Sequence, residues 1–221
     1  MSEKIIKFGR SGSIRLYLGC MYSGKTSELI REYTRYQKIG KKVICINYAL
    51  DNRYDATDTD NNNSYVYSHD LNKIKCLKSK TLLEINYKTI LEYDVILINE
   101  GQFFPDILEF CTLYCDKHNK NIIVCGLDGD YLRKPFGKIN HLISIADEIT
   151  KLKALCIKCN DGTPALFTWR ISDDINQVSI NNDYIPVCRF HYLENMNNNN
   201  NNNNNNIKPE PEFYNDVNYI T

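Results

Sequence analysis

The run Gly19-Cys20-Met21-Tyr22-Ser23-Gly24-Lys25-Thr26 has the types and spacing of a phosphate-binding loop, G-x-x-x-x-G-K-[ST]. Its glycines let the backbone wrap so that successive N–H groups point inward at phosphate oxygens. Lys25 adds a cation at the outer phosphates, and Thr26 offers a hydroxyl to Mg²⁺. The alternative is a chance glycine-rich turn. The context decides against it, because an apolar run ends at Gly19 and a helical pattern opens at Thr26. The pattern speaks for nucleotide binding and is silent on what is done with the nucleotide.

Two further groups carry chemistry. Asp94–Ile98 reads as a buried strand that runs into Asn99-Glu100-Gly101-Gln102, so Glu100 is the carboxylate at that strand's end. Alone it would be a solvated junction residue. Paired with a phosphate loop, it suits orienting an acceptor hydroxyl and taking its proton. The third group is Cys156-x-x-Cys159 with Cys188-x-x-His191, two half-sites separated by residues 160–187. Four N/S ligands are what a structural Zn²⁺ takes in a tetrahedral shell. Such a clamp would fold a segment with little core of its own and leave residues 161–186 to close over a substrate as a lasso. His69, His118 and His141 have no nameable catalytic partner and read as a loop position, a helix end and a helical or turn position.

The elements that must position these groups are legible as apolar runs. Ile14–Leu18, Val43–Ile46, Asp94–Ile98 and Asn121–Cys125 read as buried strands. Thr26–Ile39 has Leu29, Tyr33 and Tyr36 on one helical face and Gly40 as its stop. Ile107, Cys111, Tyr114 and His118 fall at helical spacing after Pro105. Strands alternating with helices predict an α/β fold, a phosphate-loop-type parallel sheet flanked by helices, with a small zinc-held lasso unit. Asp51–Ser68 reads as a long polar loop, and Asn197–Asn206 is an unbroken asparagine run that cannot bury a core. The expected organisation is an extension over 1–13, a nucleotide-binding domain over 14–152, a lasso over 153–193 and a disordered tail over 194–221.

Composition narrows the function classes. Lys plus Arg number 27 and so do Asp plus Glu. This balance disfavours a nucleic-acid binder, including a zinc-ribbon nucleic-acid module. No window approaches the ~20 apolar residues a membrane span needs, and no secretory leader is visible, so a cytoplasmic protein without membrane association is expected. In a reducing compartment the nine cysteines read as metal ligands or small core residues sooner than as disulfides. Cys20, Cys45, Cys76, Cys111, Cys115 and Cys125 lack a C-x-x-C partner, and most of them are expected in the core; Cys76 alone follows a polar segment.

The blocks together resemble the cytosolic, zinc-containing (type II) thymidine kinases. Asn99-Glu100-Gly101-Gln102-Phe103-Phe104-Pro105-Asp106 is similar to their D-E-G-Q-F-F-x-D segment, and Gly19–Leu29 to their phosphate loop. Asp51-Asn52-Arg53-Tyr54 is similar to their D-x-R-Y segment, and Leu127-Asp128-Gly129 with Arg133-Lys134-Pro135-Phe136-Gly137 to a further block. The resemblance spans Ile14 to Tyr192 in consistent order. It implies transfer of the γ-phosphoryl group of ATP to the 5′-hydroxyl of thymidine, with Glu100 as base and Lys25 and Arg53 assisting. It implies ATP contacts from Gly19, Met21, Tyr22, Ser23, Gly24, Lys25, Thr26, Asp51, Arg53, Asn99 and Gln102. Met21, Phe104, Leu127, Phe136 and Tyr184 would line the base pocket. It also implies Mg²⁺ at Thr26, structural Zn²⁺ at Cys156, Cys159, Cys188 and His191, a homo-tetramer, and inhibition by the triphosphate end product.

The chain departs from the family pattern twice. Asn99 stands where the family has Asp; it keeps an oxygen ligand but loses the charge. Asn99→Asp is therefore expected to lower the Mg²⁺ requirement, unless Asp51 or Asp128 supplies the charge instead. Gln177–Asn182 lacks the paired glycines usual before the pocket tyrosine. The alternatives to a thymidine kinase are a broader deoxynucleoside kinase and, because of Asn99, a nucleotide-binding protein with impaired catalysis.

Overall fold

Side chains in a strand alternate between two faces, and in this chain the alternation is apolar on both. β1 (Ser13–Gly19) sends Ile14, Leu16 and Leu18 to one face and Tyr17 to the other. β5 (Val95–Ile98) divides Ile96 and Ile98 from Val95 and Leu97, and β6 (Asn121–Gly126) divides Ile122 and Val124 from Ile123 and Cys125. Each face therefore needs a covering layer, and the helices supply it. The computed structural model describes residues 11–51, 64–68, 70, 72–172 and 183–202, side chains through Asn197.

A seven-stranded sheet forms the centre, in the order β3-β4-β2-β5-β6-β1-β7. Its other members are β2 (Val43–Tyr48), β3 (Ser64–Tyr67), β4 (Lys73–Ser79) and β7 (Glu148–Leu152). All neighbours pair in parallel except β3, which runs antiparallel to β4. α1 (Lys25–Lys38) covers one face with Leu29 and the partly buried Tyr33 and Tyr36. α2 (Tyr87–Leu91) and α3 (Ile107–Thr112) cover the other through Ile90, Ile107 and Phe110, and α3 continues as a wider turn over Leu113–Lys117. Gly40, at φ 75°, ends α1 by donating its N–H to the Gln37 carbonyl, a left-handed stop that glycine adopts without strain.

Beyond β7 the chain forms two small ribbons. β8 (Ala154–Leu155) pairs with β9 (Pro164–Ala165), and β10 (Phe167–Arg170) pairs with β11 (Tyr184–Val187), both antiparallel. α4 (Arg189–Asn202) follows.

The mixed α/β sheet and its flanking helices agree with the sequence expectation. Two segments differ from it. Ser64–Tyr67, expected within a loop, is β3, because its partner β4 alternates buried and exposed residues under a lysine-rich surface that hides the strand signal. Residues 194–202, expected in a disordered tail, belong to α4: once Tyr192 anchors a helix in the core, adding residues costs little compared with nucleating one. The expectations for residues 1–10, for Arg53 and His69, for Gln177–Asn182 and for residues 203–221 lie outside the described residues. All six cysteines without a C-x-x-C partner are buried, Cys76 included.

Candidate functional site

The loop Gly19–Thr26 joins β1 to α1 at the C-terminal edge of the sheet, between the two central apolar layers. Gly24, at φ 82°, forms the N-cap of α1, so the helix's first N–H groups and its positive dipole end face the loop interior. A Cβ on Gly19 would lie 2.5 Å from the Leu152 carbonyl oxygen and 2.8 Å from Ser23 Oγ, which leaves room for glycine alone. Inside the loop, Lys25 Nζ donates to the Cys20 carbonyl at 2.6 Å, and Ser23 Oγ donates to the same oxygen at 2.8 Å. Burial pushes the Cys20 thiol up, and it points at the Ala165 carbonyl as a neutral donor. The loop is also tied outward, since Met21 N–H donates to Thr168 Oγ1 on β10 at 3.0 Å.

Asn99 and Glu100 leave the end of β5 beside this loop. The Thr26 hydroxyl donates to Asn99 Oδ1 at 3.4 Å. Glu100 is 9% exposed and has φ 54°, a left-handed backbone that a non-glycine residue rarely adopts. Such strain persists only where its surroundings hold it, and it concentrates at functional sites. Here the holding is specific. Gln102 Nε2 donates to Glu100 Oε2 at 2.6 Å, while Gln102 Oε1 accepts from Leu127 N–H at 3.0 Å. Gln102, assigned to ATP from the resemblance, has its buried amide engaged between Glu100 and Leu127. Asp51 Oδ2 accepts from Asn47 Nδ2 at 3.2 Å, next to the same edge. Asp128, the other carboxylate considered for the metal, accepts from Lys151 Nζ at 2.5 Å.

Aromatic side chains gather beyond Glu100. Phe103 lies 5.4 Å edge-on to Phe136 and stacks on Tyr48 at 5.1 Å. Gly137 permits this approach: at φ 56°, its Cβ would sit 2.0 Å from the Gln102 carbonyl oxygen. Phe104, expected in the pocket wall, is instead fully enclosed in the main core beneath Tyr48. Of the two adjacent rings, the single turn over Gly101–Phe103 sends Phe103 toward Phe136 and Phe104 inward. Sequence spacing holds no signal for which ring that turn exposes. Tyr184 is buried on β11, its hydroxyl accepting from Arg170, whose guanidinium also lies 4.3 Å from the Tyr131 ring centre. Thr168 and Arg170 were not singled out from the sequence, because their roles come from the β10–β11 pairing.

Cys156, Cys159, Cys188 and His191 converge as expected, with one ligand atom from each lying within 4.8 Å of all the others. His191 Nδ1 lies 3.3 Å from Cys159 Sγ and 3.5 Å from Cys188 Sγ, and Nε2 faces Glu194 at 4.0 Å. A ligating histidine commonly offers its other nitrogen to a carboxylate, which orients the ring. Cys188 N–H donates to Cys156 Sγ at 3.2 Å. Burial pushes the Cys156 thiol up, but N–H donors from Cys188 and Cys159 and the Cys159 and His191 side chains outweigh it and bring it to about 6. Three soft sulfurs and one imidazole nitrogen at this spacing fit a tetrahedral structural Zn²⁺.

A profile described as thymidine kinase matches residues 12–192. This chain belongs to the thymidine kinase family. The thymidine kinase of Vaccinia virus (strain Western Reserve) is 38% identical over 185 residues, which is 83% of this chain and 98% of the viral protein. That of Yaba monkey tumor virus is 41% identical over 187 residues, covering 84% of this chain and 97% of its own. Thymidine kinase 1 of Dictyostelium discoideum is 38% identical over 190 residues, 85% of this chain and 80% of the relative. Among the described residues no helix is long and apolar enough to cross a membrane.

Proposed function

We propose that this protein is an ATP-dependent thymidine kinase that transfers the γ-phosphoryl group of ATP to the 5′-hydroxyl of thymidine, giving dTMP for pyrimidine salvage. One observation carries the reading beyond nucleotide binding. Glu100 is a buried carboxylate in a strained left-handed backbone, locked by Gln102 and set at the strand end beside the phosphate loop. Strain of this kind concentrates at functional sites, and the lock suits a general base, whose geometry toward the acceptor hydroxyl must be held.

In this reading Glu100 takes the 5′-hydroxyl proton as that oxygen bonds to the γ-phosphorus and the bond to the β-phosphate oxygen breaks, releasing ADP. Lys25 and the loop N–H groups of Gly19–Thr26 stabilise the charge on the transferring group. Mg²⁺, held by the Thr26 hydroxyl together with the phosphates, would neutralise phosphate charge. Gln102 positions Glu100. Phe103 with Phe136, Leu127, Met21 and Tyr184 supplies the flat apolar slot for a pyrimidine. Arg53 and Asp51 belong to the ATP side. Cys156, Cys159, Cys188 and His191 hold a structural Zn²⁺ that closes the lasso. Cytoplasmic placement is supported by the six buried cysteines outside this cluster, which are held as thiols and not as disulfides. The homo-tetramer remains part of the proposal on family grounds.

Glu100→Gln tests the reading. With thymidine, kcat is expected to fall about a thousandfold while ATP affinity stays within about twofold. A kcat within a few-fold of wild type moves the base elsewhere. The same assay across a nucleoside panel separates a thymidine kinase from a broader deoxynucleoside kinase. Absence of any turnover in wild type would leave a nucleotide-binding protein.

A further inference from the structure

Two buried asparagines face each other at the C-terminal edge of the sheet. β2 and β5 run parallel with Ile46 opposite Ile98, and Asn99 N–H donates to the Ile46 carbonyl at 2.9 Å. The side chains of Asn47 and Asn99, each 2% exposed, therefore meet across the two strands. Asn99 Nδ2 donates to Asn47 Oδ1 at 3.0 Å. Asn47 Nδ2 donates in turn to Asp51 Oδ2 at 3.2 Å. At the other end, Asn99 Oδ1 accepts from the Thr26 hydroxyl at 3.4 Å and from the Cys125 thiol at 3.1 Å.

The direction of this chain of bonds is set by its end. An ionised carboxylate only accepts, so Asp51 must receive the NH₂ of Asn47. The Asn47 oxygen is then left facing residue 99, and only a donor there can answer it. An amide at 99 donates to Asn47 while offering its oxygen to Thr26. A carboxylate at 99 cannot do both.

We propose that Asn47 is a positioning residue of the phosphate site, forming with Asn99 a two-amide relay that ties Thr26 to the Asp51 carboxylate. The assignment rests on the kinase reading for what the site does, and on the geometry alone for the relay. It makes Asp51 the carboxylate of this edge and an amide at 99 a requirement. It also reverses the expectation drawn from the family pattern. Asn99→Asp sets a second carboxylate against the Asn47 oxygen, and by turning its amide Asn47 can meet one carboxylate but not both. A donor-only side chain at 47 meets both, and lysine has the reach and three donors.

The test is a cycle of four proteins: wild type, Asn99→Asp, Asn47→Lys and the double variant, each with its bound zinc. ATP affinity is measured with and without Mg²⁺, and thermal unfolding without nucleotide. Each single variant is expected to weaken ATP binding about tenfold and to lower the unfolding temperature, as for loss of one charge-assisted hydrogen bond. The double variant is expected to return to within about threefold of wild type. Unchanged or tighter Mg²⁺-dependent ATP binding in Asn99→Asp overturns the relay, as does a double variant whose loss is the product of the two singles. If a charged single variant does not fold, Asn47→Leu takes its place. It is near in size and uncharged, and unaltered ATP affinity in it also overturns the relay. Neither measurement requires turnover, so the cycle reads the same whether or not thymidine is the acceptor.

Discussion

The phosphate site and the Cys/His cluster hold their side chains by different means. Around the phosphate site every residue of β5 is 0% exposed, and two apolar layers clamp the strand ends that carry Asn99 and Glu100. Shape there comes from burial and close packing, which fix rotamers without any ligand. After Leu152 the ribbons are short, and Leu155, Ile157 and Phe190 stand 66%, 59% and 68% exposed. That unit has one small core, in which Tyr192 packs against Phe167 and Trp169. A segment with so little burial does not offset its own ordering entropy. Ligand bonds from four side chains to one ion would supply what burial does not. The pair teaches that one chain can make a half fixed by burial and a half built around a cluster that could hold a metal, joined by contacts such as Met21 N–H to Thr168.

The sharpest break of this comparison is Lys25→Ala. In the proposed mechanism it removes the cation at the migrating phosphoryl group, so turnover is expected to drop by at least about a thousandfold. The bonds of Lys25 to the Cys20 carbonyl and Ser23 Oγ lie within its own loop, so the unfolding midpoint should stay within about 2 °C. Near-normal turnover would remove the phosphate-loop assignment.

Next in size is loss of the metal. Elemental analysis should find about one zinc per chain. Chelation, or Cys188→Ser, should raise the Michaelis constant for thymidine about tenfold and that for ATP far less, with the seven-stranded sheet retained. Metal-free protein with an unchanged thymidine constant would show that the ribbons stand without the ion.

The smallest effect concerns stability of the sheet half alone. Glu32 on α1 is 1% exposed, accepting from Arg15 at 3.0 Å and Arg35 at 2.6 Å. Burial alone would raise its carboxyl, but the Arg15 bond and both arginine charges outweigh this and hold it below the ordinary carboxylate range. A folded-state pKa below the unfolded one stabilises above the unfolded value and is lost as pH falls through the folded one. Glu32→Gln should therefore destabilise by about 2 kcal/mol near neutral pH, with the gap to wild type closing in acid. Denaturant titrations at both pH values check this. A gap that persists in acid would assign the effect to packing.

Much of this arrangement follows from local sequence alone. The phosphate loop, the continuous apolar strands, the stop at Gly40 and the two Cys/His half-sites are each defined within a few residues, where backbone preference and ligand chemistry are local. The tertiary structure decided what depends on residues distant in the chain. Which of Phe103 and Phe104 faces Phe136 follows from one turn packed against Gly137. That Gln102 serves Glu100 follows from where Leu127 arrives. That Asn47 answers Asn99 follows from the parallel register of β2 and β5. Hydrogen-bond direction across strands is a property of pairs, and the members of these pairs lie as many as 52 residues apart. Their meeting is set by the sheet's order and register, which no single segment contains.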